Sequence, residues 1–438
     1  MQRPPITAIL GGILSIAGIP ARADTVAVLP FWNQASSNPA LTQADSAPST
    51  GNLDWIGESI AEMVREALGA RGVLSFDRTE IQDAVHRLRL HDRAALSQAS
   101  VIKIGEELDA EQILSGSFEF TRAIPPAAAS LPASLPPSTP SRKLLSAGSL
   151  KISARVMDRR RMRLGPEFFE TGALEDLATI EAHLAWQALK LLAPAMAPPE
   201  SDFKTLRPAI RLDAEENYIR GLLAPDPAQK EKFFLQAARL DARFTLPCYQ
   251  LGQIHFQRKE YRQAVAWLEK IPPPDTHSDD THYRSASFLL GLARFQSGDF
   301  PGAQKAFQLI AETVPLGEVF NNLGAAESRG NLPQAADDFR KALAGDDRDP
   351  VYQFNLGYAL WKKGDFAEAA VHFRAVLDRD PEDQVATLLL GRCLKKQGAR
   401  SGAGVGAADA RLTGLERLKT DYQERAYWQL RAVIEAKP

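Results

Sequence analysis

The chain is poor in the features that commonly announce an activity. Cysteine is almost absent: there are two in 438 residues, Cys248 and Cys393, so a disulfide-stapled framework or a cysteine-rich zinc module is excluded. Charge of one sign is lacking too. The 52 basic and 54 acidic residues leave a formal net charge of −2, which provides neither a basic field for nucleic acid nor a polyacidic tail. No P-loop, HExxH or CxxC motif occurs. Ser401 to Ala407 (SGAGVGA) has closely spaced glycines but follows a helical pattern instead of a strand, so it reads as a linker. Gly57 to Ala61 (GESIA) lacks the closing glycine of a nucleophile elbow and lies within a helical pattern. His86 and His91 sit in or beside a helix end, and His183, His255 and His372 lie singly in helical stretches. No cluster resembling a catalytic constellation emerges, so the sequence points away from an enzyme, and it implies no cofactor.

Long apolar runs are missing as well. The one short run, Ala8 to Ile19, follows Arg3 and is broken by Pro20, with Ala21-Arg22-Ala23 supplying small residues for cleavage. Residues 1–23 are therefore expected to be a signal peptide, leaving Asp24 first. The mature chain is expected to be exported to a bacterial periplasm without a membrane span or a lipid-bearing cysteine.

Proline-rich breaks organise the remainder. Ile124 to Pro140 reads as an exposed insert, and Ala193 to Glu200 opens a linker expected over 193–213. Residues 24–192 alternate between strand and helix signals. Strands are expected at Thr25 to Phe31, Val73 to Phe76, Gln112 to Thr121, Ser149 to Met157 and Glu167 to Thr171. Helices are expected from Asp54 to Gly69, from a Thr79 cap to Leu88, from Ser97 to Leu108 and from Leu174 to Leu192. This is a mixed α/β domain large enough for its own core.

After the linker the strands vanish and a period takes over. Leu-Gly pairs end at Gly252, Gly291, Gly324, Gly357 and Gly391, at spacings of 39, 33, 33 and 34 residues. Downstream in four units stands Ala264, Ala303, Ala335 or Ala369, preceded by an aromatic residue or leucine and followed by a large apolar residue. Glycine and alanine at these points let the two helices of a hairpin approach, with Gly357 expected against Ala369 and Phe366 and Phe373 filling the wedge. Gly364 is expected between helices, where a left-handed conformation suits glycine. Single hairpins leave an apolar face uncovered, so neighbours must stack.

These motifs closely resemble the tetratricopeptide repeat over about residues 214–398, giving an all-α solenoid after the α/β domain. The unit from Ala214 is degenerate, and Gln384 to Gly398 supplies only a first helix. In that register the cysteines stand four repeats apart, beyond the roughly 7 Å reach of a disulfide, and read as core residues. The resemblance implies a groove lined by the first helix of each hairpin. Its candidate residues are Tyr249, Phe256, Phe288, Phe295, Phe354, Tyr358 and Trp361, with Arg392, Lys395 and Lys396 forming a basic far end for an acidic group of a peptide. A lysine/asparagine carboxylate clamp is not present as a set, despite Asn322 and Asn355.

Two further expectations concern the flanks. VAVLPF (Val26 to Phe31), LDWIGESIAEMVREAL (Leu53 to Leu68), Asp77-Arg78 and IKIGEELDAEQILSGSFE (Ile102 to Glu119) resemble the amino-terminal domain of TolB and CsgG-like periplasmic domains. That resemblance implies a non-enzymatic role in envelope assemblies. Residues 399–410 read as a Gly/Ala linker, and 411–438 as an amphipathic helix that caps the solenoid, docks on a partner or fills the groove of its own chain. The loop DTHSDDTH offers His277, Asp279 and His282 as weak metal candidates, although a solvated polar loop explains it better. The sequence thus predicts a periplasmic scaffold binding a protein or peptide, with homo-oligomerisation open. The alternative is an α/β domain that binds a small molecule or cell-wall fragment while the repeats oligomerise.

Overall fold

A computed structural model describes residues 25–34, 53–90, 95–122, 148–199, 210–273, 281–399 and 411–435. The expected signal peptide, the proline-rich insert at 124–140, and His277 and Asp279 lie outside the described residues. The described chain divides into two compact units, one made mainly of residues up to Leu251 and the other mainly of residues from Gly252 onward.

In the first unit, β1 (Val26–Val28) and β2 (Trp32–Asn33) pair in parallel with β3 (Gln112–Arg122). Strand β3 runs antiparallel to β4 (Gly148–Asp158), from Gln112 opposite Asp158 to Arg122 opposite Gly148. Strand β4 also pairs with β5 (Arg163–Leu164) and β6 (Phe168–Ala173). The strand expected at Val73 to Phe76 is reduced to a single parallel bridge between Val26 and Ser75. Gly72 turns the chain just before it (φ +75°), and a helix cap follows at Asp77, so little extended length remains.

Helix α1 (Trp55–Gly69) buries the predicted stripe of Ile56, Ile60, Met63, Val64 and Leu68. Helix α2 (Arg78–Arg87) starts at Asp77 instead of the expected Thr79. The Glu80 amide donates to Asp77 Oδ1 at 2.8 Å, and Glu80 Oε2 accepts from the Asp77 amide at 2.8 Å, so two end donors are satisfied reciprocally. Helix α3 (Gln98–Leu108) takes the expected Ser97 cap, and α4 (Leu177–Leu192) packs on α1. Ala27, Leu29, Phe76, Ile81, Val85, Ile104, Ile113 and Met157 share one core.

The hairpin α5 (Leu212–Leu223) and α6 (Pro227–Leu240) belongs to this first unit, packed on α1. Ser59 donates to the buried Glu215 carboxylate at 2.6 Å, and the Tyr218 hydroxyl donates to Glu62 at 3.3 Å. Burial, reinforced by the charges of Glu62 and Glu66, holds the Tyr218 phenol well above its usual range.

The remaining helices form hairpins: α7 (Leu246–Gln257) with α8 (Tyr261–Leu268), α9 (Thr281–Ser297) with α10 (Phe300–Ala311), α11 (Gly317–Arg329) with α12 (Ala335–Gly345), and α13 (Pro350–Lys363) with α14 (Phe366–Leu377). Helix α15 (Gln384–Leu394) is a first helix packed on α14. Ala264, Ala303, Ala335 and Ala369 are all buried, as their spacing predicts.

The glycines meet something larger than expected. A Cβ on Gly252 would lie 2.6 Å from Leu268, one on Gly291 2.7 Å from Phe307, and one on Gly324 2.9 Å from Phe339. At Gly357 the neighbours are Phe373 and His372, not Ala369. The glycine thus makes room for the large side chain one turn beyond the alanine. Gly391 differs, because nothing lies within 4 Å of a Cβ there. No described residue therefore comes close enough there to require a glycine. Gly364 closes α13 in the expected left-handed conformation, with φ +91°.

The helix expected over Arg411 to Ala436 begins only at Glu424, as α16 (Glu424–Glu435). Residues 411–423 carry no helix. Gly414 turns the chain at φ +78°, and the backbone groups that a helix would have paired internally are paired elsewhere.

Candidate peptide-binding groove

The residues before α16 lie along the first helices of the repeats, and side chains of those helices read their backbone. Asn355, on α13, donates from Nδ2 to the Arg417 carbonyl at 2.7 Å and accepts from the Arg417 amide at 2.8 Å. Asn322, on α11, treats Lys419 the same way, with both bonds at 2.8 Å. Asn321 adds a bond to the Arg417 carbonyl at 2.9 Å and accepts from Asn355 at 2.7 Å. All three asparagines are fully buried. In extended backbone, residues two apart present their amide and carbonyl to the same side. Arg417 and Lys419 are two apart, and each meets its own asparagine. At one end the Tyr358 hydroxyl donates to the Leu412 carbonyl at 2.7 Å and accepts from the Gly414 amide at 3.2 Å. At the other, Glu318 accepts from the Gln423 amide at 3.0 Å.

Side chains fix the register. Glu416 is buried and accepts from the Ser328 hydroxyl at 2.7 Å, with Arg329 Nε at 3.6 Å and Lys362 Nζ at 3.8 Å. Arg417 pairs with Asp383 at 2.6 Å, and its guanidinium lies 3.5 Å from the centre of the Phe354 ring. Lys419 pairs with Asp349 at 2.5 Å. Tyr422 stacks on Phe288 at 4.9 Å. Beyond it, Glu424 receives Arg284 at 2.8 Å and the Trp428 indole N–H at 3.0 Å.

The electrostatics follow. Burial pushes the Asp383 carboxyl up, but the Ala386 amide and the Arg417 guanidinium outweigh it, and its pKa lies below the usual carboxylate value. Burial and then the Glu416 charge raise the Tyr358 phenol, so its hydroxyl stays protonated and donates. Burial and the Glu424 charge do the same for Tyr422.

Of the groove residues expected from the sequence, Phe288, Phe354 and Tyr358 touch the extended segment. Trp361 stacks on Tyr358 and donates to the Gln397 carbonyl at 2.8 Å. Phe295 packs edge-on against Phe300, with Arg329 above it. Phe256 sits against Tyr261 within its own hairpin, and Tyr249 lies edge-on to His282. The cations that face the Glu416 carboxylate are Arg329 and Lys362. Lys395 and Lys396 are exposed past the end of α15, and Arg392 lies on α15 half-buried. Asp349, at the start of α13, and Asp383, at the start of α15, supply the carboxylates that meet the bases of the segment.

The sequence reading missed the asparagine ladder. Its signal was present in the shared Asn-Leu-Gly of Asn322 and Asn355, 33 residues apart in one repeat position. Among the described residues no cluster of His, Cys, Asp and Glu could hold a metal ion. Cys248 and Cys393 are buried, and neither is in a disulfide. No described helix is long and apolar enough to cross a membrane.

Family models of the tetratricopeptide repeat match residues 247–271, 288–352 and 360–405. No curated protein matches the chain. Solved structures with a similar fold include MamA residues 41 to end from Desulfovibrio magneticus RS-1, 20% identical, covering 40% of this chain and 99% of that one at a TM-score of 0.35. YrrB, described as a TPR protein with an unusual peptide-binding site, is 20% identical, with 37% of this chain and 82% of that one covered at a TM-score of 0.32. A thermophilic TPR protein from Thermus thermophilus is 14% identical, with 42% of this chain and 99% of that one covered at a TM-score of 0.30. The chain therefore carries tetratricopeptide repeats within residues 247–405.

Proposed function

We propose that the protein is a non-enzymatic scaffold whose repeats hold an extended segment of a protein partner. It works in a bacterial cell-envelope assembly after export to the periplasm. The observation that carries the reading is the asparagine ladder, in which Asn322 and Asn355 each bind both backbone groups of one residue of an extended segment. Contacts to backbone accept many sequences, and the flanking charged pockets select among them. The envelope setting starts from the signal-like composition of residues 1–23, and a TolB- or CsgG-like role for residues 24–192 is part of the proposal.

Two experiments test the two halves of the reading. Photo-crosslinking in intact cells from a benzophenone amino acid at exposed Leu388 should trap a protein partner, and an Asn322→Ala/Asn355→Ala double variant should lose it. Equal capture by both proteins would refute the groove. Alkaline phosphatase fused after residue 199 should be active only if the leader exports it, and an inactive fusion of normal abundance would refute the periplasmic setting.

A further inference from the structure

The segment in the groove belongs to the chain itself, and its side chains are matched to the groove one by one. Glu416 enters a buried pocket of Ser328, Arg329 and Lys362. The next residue, Arg417, meets Asp383 and the face of Phe354. Two further on, Lys419 meets Asp349. Tyr422 then stacks on Phe288. The groove therefore offers cations, then carboxylates, then an aromatic plate, and the segment answers with an acid, two bases and an aromatic. Gly414 completes the match. Its φ of +78° disfavours other residues, and a Cβ there would collide with the Arg329 guanidinium that faces Glu416. Reversing the charges of a ligand would place like charges together in partly desolvated surroundings, which gives selectivity as well as affinity.

We infer that the groove selects extended peptides of the form Gly-x-Glu-basic-x-basic-x-x-aromatic, and that residues 412–422 are a built-in competitor for them. This rests on the peptide-binding reading of the groove. A tethered segment acts at an effective concentration in the millimolar range, so an external peptide of the same intrinsic strength meets a mostly closed site. The apparent affinity for such a peptide falls by the fraction of open molecules. A partner must match the pattern better than the tail does, or present it more than once.

The test uses the full chain and a fluorescein-labelled peptide of residues 411–423, RLTGLERLKTDYQ, followed by fluorescence anisotropy. The competitor is weakened in place by Gly414→Val/Lys419→Glu, which strains the turn and sets a carboxylate beside Asp349. The single variant Lys419→Glu, at a partly exposed position, guards against misfolding of the double variant, and circular dichroism melts check both. At least tenfold tighter peptide binding by the variants than by the unaltered chain is expected. Peptides carrying Glu416→Gln or Arg417→Glu should bind the variants at least tenfold more weakly than the parent peptide. Equal binding to the unaltered chain and the variants would overturn the competitor while leaving the groove standing. Tight binding that ignores both peptide changes would overturn the selectivity pattern. No binding to any folded variant would overturn the peptide-binding reading itself.

Discussion

Replacing Asn355 by alanine removes three hydrogen bonds at once: two to the backbone of Arg417, at 2.7 and 2.8 Å, and one to Asn321 at 2.7 Å. Each such bond contributes about 1 kcal/mol net, and a buried partner left unpaired costs about that much or more. The two bonds to Arg417 bear directly on docking of the tail, so docking should weaken by about 2 kcal/mol. At about 1.4 kcal/mol per tenfold, the open population rises about thirtyfold. Hydrogen exchange of residues 411–423, followed by mass spectrometry, should accelerate by that order, while amides of Phe366 to Leu377 in α14 keep their protection. Asn322→Ala removes the equivalent pair at Lys419 and should give a comparable acceleration centred two residues along. Unchanged protection of the tail in both variants would refute the ladder as its anchor. Loss of protection throughout α13 and α14 would show that Asn355 serves the hairpin instead.

Other outcomes follow from the packing and the charges. Gly357→Leu forces a side chain against Phe373 and His372 and should destabilise the second unit by about 1–3 kcal/mol or more, whereas Gly391→Ala, with open space around it, should be neutral or stabilising by up to about 1 kcal/mol; thermal melts compare the two. Burial, a hydrogen bond to Asp338 and the Asp338 charge raise the Glu327 carboxyl to about 8. The folded chain then binds a proton that the unfolded chain has released, so this contribution is fully present below about pH 4.5 and fades as pH rises through 8, at no more than about 1.4 kcal/mol per pH unit. Denaturant titrations should show that decline, and Glu327→Gln should flatten it. Arg284→Ala takes the guanidinium from the buried Glu424 and should weaken anchoring of α16 by about 3 kcal/mol, seen as a shift in Trp428 fluorescence at lower denaturant.

Period and small residues were enough to place the hairpins, because the Leu-Gly and alanine positions record a steric need that recurs in each unit. They could not say which atom fills the space beside glycine, since Phe373 and Ala369 both satisfy the pattern. The Ser97 cap was legible from one residue, whereas Asp77 was obscured by Thr79, which also favours helix starts; Glu80 decided between them. The strand expected at 73–76 failed because apolar composition does not reveal how little length Gly72 and Asp77 leave it. The tail was the largest departure. Leu412, Leu415, Leu418 and Tyr422 recur near helical spacing, yet they match an extended segment equally well once a partner supplies the hydrogen bonds. Periodicity does not encode such a partner. Gly414 in mid-pattern, and asparagine recurring beside Leu-Gly, were the two signs that a backbone is gripped here.

The first helices of the repeats grip an extended segment, and the chain supplies one itself. A benzophenone amino acid placed at Leu418, between the two gripped residues, tests it most directly, with crosslinks located by mass spectrometry of the monomeric band. Attachment to Gly317–Arg329 and Pro350–Lys363 of the same molecule is the predicted result. Attachment only outside those helices, or none in a folded monomer, would show that the repeats do not hold this segment.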